Sequence, residues 1–152
     1  METYSSKKSA IIHVIIPLII GGLIYIAFRS SSLRLFTWFE KIGFDNIISF
    51  IRTEAYPIKK HLPQWSYYSL PDGLWVYSFA SALLILWDNN FNKVKFWLLI
   101  PLFLGTIIEI AQGLKIFPGT FDVVDLVFTA IGLILSVIII NHTSIQNEKT
   151  IS

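Results

Sequence analysis

The sequence predicts an all-α integral membrane protein, a bundle of four transmembrane helices with an amphipathic interfacial helix in its first long loop. Three observations carry that reading. Of the 152 residues 54% are hydrophobic and only 14% are charged, against about a quarter charged in soluble domains, and the mean hydropathy is +0.63. Uncharged runs recur that approach the roughly 20 apolar residues needed to cross a bilayer. Aromatic residues gather at the ends of those runs as interfacial belts. The length fits a single transmembrane domain over residues 1–152. The net charge of +2 is small and scattered, which gives no reason to expect a nucleic-acid partner. The absence of cysteine excludes disulfides, thiolate metal sites and thiol nucleophiles.

Span one, 9–28, lies uncharged between Lys8 and Arg29. Its length, and large residues where a small-x-small cleavage site would fall, favour a retained span over a signal peptide. Span two, 73–87, lies between Asp72 and Asp88. It reaches only about 22 Å at about 1.5 Å per residue, and it borrows length from the uncharged, aromatic LPQWSYYSLP before it. Spans three and four cover 96–113 and 121–140. Both termini then share one membrane face, side A, and the loops Arg29–Asp72 and Leu114–Thr120 lie on side B. Trp65, Tyr67, Tyr68 and Trp75 mark side B, while Trp87, Phe91 and Trp97 mark side A. Side B holds more basic residues in total, but the Lys7-Lys8 start and the short loop with Lys93 and Lys95 favour cytoplasmic termini.

The interfacial segment, 32–52, repeats apolar residues at helical spacing: Leu35, Phe36, Phe39 and Ile42, then Phe44, Ile47, Ile48 and Ile51. Gly43 is placed to divide it into two short helices. Such a segment lies in the side-B interface or folds back as a lid over the bundle.

Spans three and four carry the chemistry. In an antiparallel hairpin centred on residue 117, beside Pro118-Gly119, three pairs stand level: Glu109 with Asp125, Gln112 with Asp122, and Gly105 with Thr129. Spacings of three and four keep each series on one helix face, so a polar ladder faces inward. An acid at the centre of a span costs roughly 2.5–3.5 kcal/mol, and two carboxylates at one depth repel. A shared proton, a divalent cation or a basic partner relieves that repulsion; Arg29 and Lys115 are the nearest candidate partners. Intramembrane ionisable groups are functional candidates by default, although Asp122 is equally placed to cap span four. Asp72, at the side-B mouth of span two, is placed either as a helix cap or as a fourth carboxylate. On span one, His13, Pro17, Gly21 and Tyr25 form a stripe suited to close packing, as do Ser78, Ser81 and Ala82 on span two.

At these residues the sequence resembles the VanZ-like family of small bacterial membrane proteins. Its signature is E-x-x-Q, a short turn with Pro and Arg, then D-x-x-D-x-x-x-N-x-x-G. Glu109-x-x-Gln112, Pro118, Asp122-x-x-Asp125 and Gly132 fall at matching positions. Thr120 stands where the family has its turn Arg, and Thr129 where it has Asn. Asp72 matches an Asp at the start of the family's second span, but Gly73 follows it in place of Lys, and the family's His is missing there. Losing the turn Arg removes a counter-charge for the carboxylates. The resemblance implies four spans, a bacterial cytoplasmic-membrane location and an association with resistance to the glycopeptide antibiotic teicoplanin; it implies no established chemistry.

Three functions are therefore expected to compete. The first is an envelope protein whose side-B pocket handles a lipid-linked or amphiphilic ligand. The second is a proton- or cation-coupled transporter subunit, which with so few spans requires a homo-oligomer. The third is a non-catalytic subunit of a membrane complex. No complete catalytic constellation is present, so enzyme activity stays open, and no cofactor is indicated beyond the divalent cation.

Overall fold

The computed structural model describes residues 7–31, 34–117 and 120–151, with side chains for all of these except 34 and 143–151. The turn residues Pro118 and Gly119 and the first two residues of the interfacial segment lie outside the described residues. Among the described residues the protein is all-helical. Its elements are α1 (Lys7–Phe28), α2 (Arg34–Lys41), α3 (Asp45–Lys59), α4 (Gln64–Tyr68), α5 (Leu70–Leu86), α6 (Phe91–Gly113) and α7 (Val123–Ile151). Three stretches are long and apolar enough to cross a membrane: Lys7–Phe28, Phe91–Gly113 and Val123–His142. The protein is a membrane protein on that ground. α5 is apolar but shorter, at 17 residues.

α5 is the centre of the bundle. It packs on α1, α4, α6 and, most extensively, α7. Small residues on α5 make this possible: Gly73, Ser78, Ala80 and Ser81 are all buried, with Leu84 below them. The closest approach is at Gly132 of α7, where an added Cβ would run into the Gly73 carbonyl and stand 3.2 Å from the Tyr77 nitrogen. A Cβ on Gly73 would stand 2.9 Å from the Phe128 carbonyl oxygen. Small residues that let backbones touch are the usual means of holding helices together in lipid, where no hydrophobic effect separates tail from side chain. Toward side A the packing becomes ordinary apolar contact among Ala80, Leu84, Val94, Leu98 and Ile140.

The main partner of α7 is thus α5, whereas the sequence reading centred its packing on the α6–α7 hairpin. The expected hairpin register is nevertheless present. Thr129 lies 3.9 Å from where a Gly105 Cβ would stand, and Phe121 lies 3.4 Å from that of Gly113; both pairs are level about residue 117. α7 comes closest to α5 at Gly73 and Gly132, where backbone meets backbone.

The stripe on α1 faces α5. Pro17 and Gly21 are buried, Trp75 of α5 lies over Gly21, and Tyr25 packs against Trp75 at 5.3 Å. Residues Ile11–Ile15 form a π-helical turn, in which Ile16 donates to Ile11. Pro17 accounts for it, because proline has no N–H to return to the His13 carbonyl four residues back. The loosened turn is pinned from α5: Ser78 donates to the Val14 carbonyl at 2.6 Å, and His13 Nδ1 meets the Tyr77 hydroxyl at 2.7 Å.

The segment expected to lie at the interface divides at Gly43, whose φ of +79° suits glycine, and its helix continues to Lys59 instead of stopping at 52. α3 is fastened to the end of α1. Arg52 donates to the carbonyls of Ile26 at 3.0 Å and Arg29 at 2.7 Å, and Lys59 reaches Phe28 at 3.4 Å. These are carbonyls that a helix C-terminus leaves without intrahelical partners, and cations are favoured there. The Arg52 guanidinium also lies 4.1 Å over the Phe36 ring, which ties α2 to α3.

Two outcomes follow. Gly132→Val forces α5 and α7 apart and lowers stability by at least about 1–3 kcal/mol, the cost of overpacking, read as a lower unfolding temperature in detergent. Arg52→Ala weakens the docking of α3 by about 2 kcal/mol, from lost hydrogen bonds to a charged group. It is read as faster amide exchange over 45–59, with α5 and α7 still protected.

Candidate functional site

The acids cluster where α6 ends and α5 and α7 begin. Glu109, on the last turns of α6, is 6% exposed and accepts the backbone N–H of Asp122 at 2.7 Å. Asp122 precedes α7, and its Oδ1 accepts the N–H of Val124 at 2.8 Å. Together the two carboxylates satisfy N–H groups that the start of a helix leaves open, at the positive end of its dipole. α7 therefore begins at Val123 and not at the expected 121, because Asp122 is its cap. The buried acid of α6 is answered by the backbone of α7, across the hairpin.

Asp125 is the next acid, in the first turn of α7. Its Oδ1 is buried and has no hydrogen-bond partner among the described residues. Asp72, in the first turn of α5, is close enough to Asp125, Glu109 and Arg29 to feel the charge of each. Arg29 stands at the end of α1 with Nη2 4.0 Å from Asp72 Oδ2, both side chains about one-quarter to one-third exposed at 26% and 31%. The same guanidinium donates to the Tyr68 carbonyl at 3.4 Å and lies between the rings of Tyr25 and Tyr68, 5.4 and 5.2 Å from their centroids. At 4.0 Å the Arg29–Asp72 pair is loose, and the Arg29 Nε is buried with no hydrogen-bond partner among the described residues.

The other expected site residues divide. Gln112 is half-buried at the end of α6, beside this cluster in sequence. Thr129 is 6% exposed, but it faces Gly105 one turn deeper than Asp125 and serves the helix contact. Thr120 is exposed. Lys115 is exposed in the α6–α7 loop, with a left-handed φ of 59°, so the cation meeting an acid here is Arg29. Among the described residues no three acidic or histidine side chains converge closely enough to hold a metal ion. His61 is exposed in the side-B loop.

Sequence reasoning missed the aromatic frame. Trp65 of α4 stacks on Phe128 of α7 at 5.4 Å, Phe28 packs on Tyr67 at 5.7 Å, and Tyr67 on Tyr68 at 4.7 Å. The density of Trp and Tyr over 65–75 was the available signal. These contacts join α4 to α1 and to α7. Ser69, 1% exposed between α4 and α5, lies one turn before Asp72.

The fold and this site define a small helical membrane protein with a cluster of acids and one arginine at one end of its bundle. No protein-family model matches the chain, and comparison with curated proteins and solved structures finds no similar one.

The roles of Glu109 and Asp122 predict a graded series. Glu109→Ala lowers stability by about 1–3 kcal/mol because a buried N–H loses its partner. Glu109→Gln costs less, since an amide oxygen still accepts. Asp122→Ala costs about 0.5–2 kcal/mol as a lost cap, and Asp122→Asn costs much less. Thermal unfolding of the four variants in one detergent measures the order.

Proposed function

We propose that the protein is a VanZ-like protein of the bacterial cytoplasmic membrane whose recess handles a lipid-linked or amphiphilic ligand. In this reading α5, lengthened by α4 across Ser69, is the fourth span. The termini are cytoplasmic, and α2–α3 is the interfacial segment over the opposite face. The observation that carries the reading is Asp125: a carboxylate oxygen buried without a partner, beside Asp72 and a loosely paired Arg29. A buried polar atom without a partner costs about 1–3 kcal/mol. A ligand group that donates to Asp125 recovers that cost. The tyrosine rings beside Arg29 suit the apolar part of such a ligand, as aromatic walls do in small-molecule sites generally. An association with glycopeptide resistance or envelope maintenance belongs to the same proposal, on the resemblance alone.

A second reading has its own support. Glu109 and Asp122 are spent on starting α7, which is what a non-catalytic subunit would ask of them. The two readings part at Asp125, Asp72 and Arg29. Asp125→Asn, Asp72→Asn and Arg29→Gln should fold normally. Each should weaken retention of a copurifying amphiphile by about tenfold, the effect of one lost charge-assisted contact. Native mass spectrometry reads the retention, and teicoplanin susceptibility of a bacterium expressing each variant reads the phenotype. Folded variants with unchanged retention and susceptibility defeat the ligand reading; wholesale misfolding favours the structural one.

A further inference from the structure

A second recess lies toward the other membrane face, with residues that the proposed function does not use. α6 and α7 diverge there around a groove of about 280 Å³ lined by Phe91, Lys95 and Leu99 on one wall and Ile134, Val137 and Ile138 on the other. Leu98 and Leu133 close its floor, where it meets the apolar core. The spacing explains the shape. Phe91, Lys95, Leu98 and Leu99 fall on one face of α6, and Leu133, Ile134, Val137 and Ile138 on one face of α7.

Hydrocarbon makes up nearly the whole lining; Lys95 is its charged member. That lysine stands one turn inside the start of α6, at the depth marked by Trp87, Phe91 and Trp97, which are all partly or largely exposed. Its ammonium lies 5.4 Å from the Phe96 ring centroid, and the residue is exposed. A lysine at the headgroup level with an apolar slot running inward from it matches one kind of molecule: an anionic head on a hydrocarbon tail. A zwitterionic lipid offers the same tail but no net charge to the lysine.

The geometry points to a binding site for one anionic phospholipid, with an acyl chain in the α6–α7 groove and its phosphate paired to Lys95. This site is independent of the acid recess, sharing no residue with it. Phosphatidylglycerol and phosphatidylcholine of matched chains, added in equal amounts to delipidated protein in detergent, test it by native mass spectrometry. The wild type should retain phosphatidylglycerol about fivefold over phosphatidylcholine, the factor one lysine near a lipid surface contributes. Lys95→Glu should abolish the preference, while Lys93→Glu, exposed outside the groove, should keep it. Ile134→Trp fills the groove from its exposed wall and should reduce retention of both lipids. Equal retention by the wild type overturns the site, as does a preference that survives Lys95→Glu or is lost equally in Lys93→Glu. Retention unchanged in Ile134→Trp overturns the groove as the seat of the chain.

Discussion

The contact of Gly132 with the backbone around Gly73 organises this protein. Neither position has room for a side chain, so α5 and α7 meet with their main chains touching. That contact makes the shortest apolar helix the centre of the bundle and sets the first turn of α5 against α7 just past that helix's own first turn. Asp72 and Asp125 sit on those two turns. Gly73 adjoins Asp72, and Phe128 and Gly132 lie one and two turns past Asp125, so this backbone packing holds the two acids near each other against their mutual repulsion.

The acids then divide by what they touch. A carboxylate facing the start of a helix meets an array of N–H groups with no intrahelical acceptor, and Glu109 and Asp122 are used there. The positive end of α7 thus offsets part of the charge of these two acids. Asp125 and Asp72 stand in the first turns of α7 and α5, and the basic side chain opposite Asp72 is Arg29, itself held by aromatic rings and a carbonyl. The family resemblance has a turn arginine at position 120; here the recess has its arginine from α1.

Much of this was legible in the residues. Apolar run length located the crossing helices, and the three- and four-residue spacing of Gly105, Glu109 and Thr129 gave the hairpin register that the Gly105–Thr129 contact shows. Gly43 divides the surface segment because its positive φ excludes most other residues. Three features were not legible. The preference of α7 for α5 depends on side-chain volumes in three helices at once, and no single periodicity reports that. The partner of Glu109 is a backbone N–H, which every residue has, so composition cannot point to it. The π turn in α1 had a local signal in Pro17, but whether a proline produces a kink, a break or a wider turn depends on which neighbours pin the loosened backbone, here Ser78 and Tyr77.

Arg29 belongs to two layers of the molecule at once. Its guanidinium stands opposite Asp72, while its own carbonyl is gripped by Arg52 from α3. A single residue thus ends a crossing helix, positions the recess's cation and anchors the surface segment. Lifting α3 off the bundle would slacken the very peptide that aims that cation. Movement of α3 and the placement of the charge opposite Asp72 are, through this one residue, mechanically joined.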